Sequence, residues 1–195
     1  MSASVAPSRP ALVLADLVPG ARVRDVALTL AGTAFITVAG YIAIPLPFTP
    51  VPLSLATFAV LLTGAALGPA RGATSALIYL VLGVGGVPLF ASGNAGWAFS
   101  SFGYIVGYVI AALLVGSLAR RRADRTVLST IGLAGLGSLT IYACGVPWLA
   151  GFVGVDLATA ITLGVVPFLI GDAIKIVAMA GLLPGTWRLV DRAHR

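Results

Sequence analysis

Charge placement constrains this chain more than any other feature. The run Val26–Ile44 holds 19 residues without one charged side chain. Comparable apolar runs follow at about 53–67, 72–87, 101–119 and 126–144, and a last one, carrying an Asp and a Lys, at about 169–187. A membrane-spanning helix needs roughly 20 apolar residues. Only 9% of the 195 residues are charged and 59% are hydrophobic, with mean hydropathy +1.07. A soluble domain carries about 25% charged residues. So few charges cannot cover a water-facing surface. A soluble enzyme, a disordered chain and a nucleic-acid binder are thereby excluded as leading readings. The net charge of +6 does not restore the last of these. Basicity on an apolar chain reports membrane orientation.

The basic residues are eleven Arg and one Lys, Lys175. Arg9, Arg22 and Arg24 precede the first run. Arg71 separates the second and third. Arg120, Arg121, Arg122 and Arg125 separate the fourth and fifth, and Arg188, Arg192 and Arg195 follow the sixth. With six spans, every Arg falls on one side and the three opposite loops carry neither Arg nor Lys. This positive-inside pattern predicts an all-α integral membrane protein of six transmembrane helices with both termini cytoplasmic. The predicted parts are a cytoplasmic tail over 1–24, a membrane domain over 25–187 and a second tail over 188–195. A seventh span over 157–165 is too short. The length of the first run favours a retained helix over a signal peptide.

Prolines and glycines set the predicted interruptions. Pro45, Pro47, Pro50 and Pro52 forbid a helix and predict an ordered loop or extended stretch. The segment Gly68–Gly72 predicts the turn of a tight helical hairpin, and 88–100 reads as a loop. Gly145, Pro147, Gly151 and Gly154 predict a break after the fifth helix. Asp156 is a predicted N-cap for a short helix over 157–165. Pro167 and Gly171 predict another interruption. The last helix is expected to stop near Pro184-Gly185, with Trp187 at the membrane interface. A short interfacial turn is expected near 12–18.

Three places could carry chemistry. Asp172 and Lys175 stand three residues apart, on one helix face, at the start of the last span. A charge within an apolar span costs roughly 2.5–3.5 kcal/mol on insertion scales. They form either a polar floor for a small polar ligand or a self-neutralising structural pair. In the loop after the third helix, Asn94 offers donor and acceptor and Trp97 a flat apolar wall. Those two suit a compact amide-like heterocycle, and equally a Gly-rich turn with an interfacial Trp. On helix 1, Ala27 and Ala31 make a small-residue stripe, for docking a membrane partner or for ordinary helix packing.

Other chemistry has no motif to rest on. The sequence holds no P-loop, no zinc-protease helix and no nucleophile elbow. One Cys, Cys144, excludes an internal disulfide and a cysteine zinc site, and reads as a packing residue. His194 sits in a charged tail and reads as solvated. No cofactor, metal or enzymatic activity is expected.

The motifs also resemble a known family. Pro50-Val-Pro52-Leu-Ser-Leu-Ala-Thr57-Phe58 leads into Leu67-Gly68-Pro69-x-Arg71-Gly72. Gly86-Val-Pro88-x-Phe90, Phe102-Gly-Tyr104-x-x-Gly107-Tyr108 and Pro167-Phe168-x-x-Gly171-Asp172-x-x-Lys175 follow in order. This series, over about 45–180, is similar to the BioY family, the biotin-specific S components of energy-coupling factor (ECF) transporters. The resemblance implies the S-component fold with biotin held near the outer face. It implies partnership with a T component and ATPase subunits. It implies Asp172 and Asn94 as ligands of the ureido ring, and Lys175 as donor to the ring or the carboxylate. Trp97, Tyr104 and Phe48 would supply apolar walls, and Ala27 and Ala31 the surface for the T component. Two segments depart from the family pattern. Ser54-Leu-Ala56-Thr57-Phe58 stands where Thr-x-Gln-Thr-Phe is usual, and Ser100-Ser-Phe-Gly-Tyr104 where Gly-Pro-Thr-Gly-Gly-Tyr is usual. These departures keep open an S component for thiamine or riboflavin. A ligand-free structural or assembly protein of the membrane is the remaining alternative.

Overall fold

The exterior of the molecule is apolar. Val23, Val38, Leu128, Ile170, Ile174, Val177 and Leu189 are all well exposed. A surface of this kind belongs in a bilayer. The computed structural model describes residues 12–20 and 22–193. The expectations for Arg9, His194 and Arg195 lie outside these residues.

Among the described residues there are seven α-helices: α1 (Arg22–Tyr41), α2 (Ala56–Leu67), α3 (Pro69–Val84), α4 (Phe102–Ala119), α5 (Val127–Val153), α6 (Leu157–Gly164) and α7 (Leu169–Ala193). Short 3-10 turns cover Leu14–Leu17, Ala91–Gly93 and Val166–Phe168. By length and composition α1, α4, α5 and the Leu157–Ala193 stretch can each cross a membrane. The 12 residues of α2 and 16 of α3 are shorter. The Pro-rich segment leaves α1 earlier than expected because its flanks pair. β1 (Ala43–Ile44) runs antiparallel to β2 (Leu53–Ser54), with Ala43 opposite Ser54.

Helix α4 is the hub. It packs against α5, α3 and α2. The α2–α3 turn is a single residue, Gly68, at φ +83°. Pro69 then opens α3 at a position where its missing N–H is harmless. This turn presses on α4 at Gly116, where a Cβ would lie 2.5 Å from the Pro69 nitrogen.

Three expected breaks are not breaks. Helix α5 continues through Gly145, Pro147 and Gly151 and stops only at Gly154, φ +78°. Gly145 serves close packing instead, since a Cβ there would meet the Tyr104 ring at 2.4 Å. Helix α7 includes Gly171 and runs through Pro184 and Gly185. Helices in lipid tolerate such residues because neighbouring helices satisfy the freed backbone groups. The real interruption is at Val166–Phe168, between α6 and α7. Asp156 does cap α6, its Oδ1 accepting from Thr159 N at 2.8 Å.

The Arg-bearing segments converge at one end. Arg71 pairs with Asp16, and with Asp25 at 3.1 Å. Arg120 lies 3.5 Å from the second Asp16 oxygen. Arg125 donates to the Leu12 carbonyl at 2.9 Å and covers the Trp187 ring at 3.2 Å. Trp187 is therefore buried, at 4% exposure, rather than set at a lipid interface. Its indole N–H is drawn inward by Asp124, at 2.6 Å. Burial pushes the Asp124 carboxyl up, against the Trp187 hydrogen bond and Arg125. Burial acts on Asp16 in the same sense, but Arg71, the Val13 amide and Arg120 together hold it below its usual value.

Two outcomes are expected. Gly116→Ala forces Cβ into the α2–α3 turn and lowers the melting temperature, as overpacking of about 1–3 kcal/mol does. Gly132→Ala, with nothing within 4 Å of its Cβ, leaves it unchanged or raises it. Thermal unfolding of both variants in detergent checks this. For Asp16, the folded carboxyl titrates below the unfolded one. Its contribution is therefore full above about pH 3.9 and is lost as pH falls below that value. The drop in melting temperature between about pH 4 and pH 3 should be smaller in Asp16→Asn than in the parent.

Candidate functional site

The first turn of α7 begins at the end opposite the arginines and brings Asp172 and Lys175 inward. Lys175 Nζ lies 3.1 Å from Asp172 Oδ1 and 2.8 Å from Thr57 Oγ1 on α2. The other Asp172 oxygen accepts from the Tyr142 hydroxyl on α5. Three helices thus meet at one ion pair. Both side chains are mostly enclosed, with 13% of Lys175 and 12% of Asp172 exposed.

This cluster lines a cavity of about 660 Å³, counting space open to solvent. Its other walls come from Val51–Ser54 and from the inward faces of α3, α4 and α5. Aromatic rings dominate these walls: Tyr79, Tyr104, Tyr108 and Tyr142 all line it. The Tyr104 hydroxyl donates to the Gly164 carbonyl at 3.0 Å, fixing its ring edge-on to Tyr142 with centroids 6.3 Å apart. Tyr79 lies beside Tyr108 at 6.4 Å and is wedged by Phe90 at 5.1 Å. The roof is tied across elements. Thr49 donates to the Leu163 carbonyl at 2.7 Å and Ser100 to the Pro50 carbonyl at 2.6 Å.

The arrangement suits recognition. An ionised carboxylate has lone pairs beyond those its two neighbours use. An ammonium has three protons, of which Asp172 and Thr57 take two. The cluster can thus offer an acceptor and a donor side by side in the wall of a largely aromatic chamber. That is the usual composition of a small-molecule site. Among the described residues, no group of three or more His, Cys, Asp or Glu side chains could hold a metal ion.

Of the residues singled out in the sequence, Asp172, Lys175 and Tyr104 line the cavity. Asn94 lines a neighbouring pocket, and its Nδ2 donates to the Ala91 carbonyl at 2.9 Å. Trp97 and Phe48 lie outside both linings, at 61% and 62% exposure. Ala27 and Ala31 are exposed on α1. Tyr142 was missed by sequence reasoning, and Thr57 entered it only as part of a motif. A signal for Tyr142 existed. A tyrosine in the middle of an apolar run must find a partner for its hydroxyl when buried.

Comparisons with known proteins converge. A sequence model of the BioY family matches residues 10–192. A "Probable biotin transporter BioY" of Pyrococcus horikoshii is 38% identical over 157 residues, covering 79% of this chain and 90% of that protein. A "Biotin transporter BioY" of Thermotoga maritima is 37% identical over 151 residues, covering 76% and 86% respectively. A solved S component for biotin from an ECF-type ABC transporter superposes with TM-score 0.78. It shares 25% identity and covers 86% of this chain and 92% of that one.

The ion pair is expected to be coupled. Asp172→Asn or Lys175→Met alone strands its partner's charge, whereas the double variant strands neither. Each single variant should melt lower in detergent than the double, and the double-mutant cycle measures the difference.

Proposed function

The chain belongs to the BioY family, and we propose on that footing that it binds biotin as the S component of an ECF-type transporter and serves biotin uptake across the cell membrane. The observation that carries this reading is the Asp172–Lys175–Thr57–Tyr142 cluster closing an aromatic cavity. Biotin has the complementary shape of chemistry. Its ureido ring presents N–H donors beside a carbonyl, and the rest of its bicycle and its acyl chain are apolar. Asp172 accepts from a ureido N–H. Lys175 donates its remaining proton to the ureido carbonyl. Tyr104, Tyr108 and Tyr79 pack against the sulfur ring. Asn94 stands next door, where it meets the ligand at the cavity mouth. Trp97 and Phe48 lie on loops of the same end and cover the ligand as those loops close.

The same reading assigns orientation and partners. The helices make six spans, with α6 and its 3-10 turn forming an incomplete crossing before α7. The arginine end faces the cytoplasm with both tails, and the cavity faces outward. This follows the positive-inside rule. The exposed stripe at Ala27 and Ala31 meets the T component, which couples to separate ATPase subunits. The chain itself carries out no covalent chemistry.

Calorimetric titration of the purified protein in detergent with biotin tests the proposal. Saturable binding at micromolar biotin or below is expected, with thiamine and riboflavin silent. Hydrogen bonds to charged groups are worth about 1.5–3 kcal/mol, so Asp172→Asn and Lys175→Met should each weaken binding at least about tenfold. Absence of binding at micromolar biotin rejects the reading. Unchanged affinity in both variants removes these residues from the site.

A further inference from the structure

Some hydroxyls on the cavity wall are spent on the protein itself and some are not. Tyr104 donates to the Gly164 carbonyl and Tyr142 to Asp172. Ser54 donates to the Gly40 carbonyl at 3.4 Å. Among the described residues, the hydroxyls of Thr57, Tyr79, Ser101, Tyr108 and Ser138 line the cavity with no acceptor for their protons in the protein.

Burial separates these five. Ser101 and Ser138 are half-buried, and Thr57 already accepts from Lys175. Tyr79 and Tyr108 are 1% and 6% exposed, and no side chain or backbone group bonds either hydroxyl. The Tyr79 hydroxyl is turned toward α1, 3.2 Å from where a Cβ on Gly40 would stand. Tyr108 instead stands within electrostatic reach of Asp172, Tyr104 and Tyr142. It follows Tyr104 by four residues, so the two rings share one face of α4. One of these two hydroxyls is committed to the fold and the other is not.

An uncommitted hydroxyl at such a depth has no structural use. A phenylalanine would fill the same space without a polar group to satisfy. In the free protein the Tyr108 hydroxyl is served by solvent in the cavity, and a ligand that displaces the solvent must replace that bond. The biotin reading leaves one such group without a partner. A ureido ring carries two N–H donors, and Asp172 takes one of them.

We propose that the Tyr108 hydroxyl is a further specificity-determining group, which accepts from the second ureido N–H. The proposal rests on the biotin reading above. It makes the site a reader of both ring nitrogens, so that a bicycle offering a single N–H binds less well.

Calorimetric titration of purified full-length Tyr108→Phe with biotin, beside its thermal unfolding without ligand, tests this. The dissociation constant should rise at least about fivefold, about 1 kcal/mol, because the ligand N–H loses its acceptor. The melting temperature should stay the same or rise, because the hydroxyl bonds nothing in the protein. A smaller loss of affinity overturns the proposal and leaves the biotin reading standing. So does a lowered melting temperature, the mark of a hydroxyl that serves the fold. Failure of the parent protein to bind biotin removes both readings. A second measurement needs no variant. Biotin methylated at either ureido nitrogen should bind the parent protein at least about fivefold more weakly than biotin. A smaller loss for either isomer overturns the proposal, since one nitrogen is then unread.

Discussion

Lys175 is the only lysine in the chain, and its position dictates how three helices meet. An unpaired charge in an apolar span costs roughly 2.5–3.5 kcal/mol on insertion scales. The cost is offset here by partners on three elements. Asp172 supplies the counter-charge from one turn away on α7. Thr57 brings α2 to the ammonium at 2.8 Å, and Tyr142 brings α5 to the carboxylate. Each helix could slide or rotate against its neighbours on apolar contacts alone, since lipid and side chain are equally apolar. The hydrogen-bonded cluster removes that freedom. The four side chains that set helix register therefore also line the cavity.

Close packing around α4 supplies the second condition. Gly103 and Gly116 let α4 approach α5 and the α2–α3 turn to distances no Cβ would allow, and a Cβ at Gly107 would be tight against Ile141 at 3.0 Å. Gly145 and Gly164 make room for the Tyr104 ring, which could not otherwise stand edge-on between α5 and α6. Small residues thus do the placing and tyrosines do the lining. The loop side is assembled by directed hydrogen bonds. Thr49 to Leu163 and Ser100 to Pro50 tie the Pro-rich loop to α6 and to the start of α4. These ties hold the roof in place while keeping its backbone carbonyls satisfied, a requirement wherever irregular backbone lies near membrane depth.

The charge pattern made the broad layout legible. Arg24, Arg71, Arg120 and Arg125 meet at one end, paired with Asp16, Asp25 and Asp124. The ion pair at Asp172 and Lys175 was legible for the same reason, because lipid makes such charges conspicuous. Proline and glycine were misread where rules from water were applied. Pro147 and Pro184 sit inside continuous helices, because neighbouring helices can satisfy the backbone groups they free. Trp187 looked like an interfacial anchor by position. Its indole N–H found the buried Asp124 instead, which no local pattern could announce. Thr57 and Tyr142 were hidden for a related reason. Their roles depend on contacts 118 and 30 residues away in sequence, and helical periodicity carries no information about a partner on another helix.

The two ends of the molecule are linked by one constraint. Under the proposed orientation, the positive-inside rule draws the arginines to the cytoplasmic end. The same rule strips cations from the loops that form the cavity mouth. A site built there cannot grip a ligand by opposing a free arginine to its carboxylate. On the proposed reading it recognises through groups whose charge is already balanced, as that of the Asp172–Lys175 pair is. A balanced pair presents directional donors and acceptors with little net field, so it discriminates by hydrogen-bond geometry more than by charge. The arginine asymmetry that sets topology therefore also sets the style of recognition. On the proposed biotin reading, selectivity is concentrated at the Asp172–Lys175 end of the cavity lining.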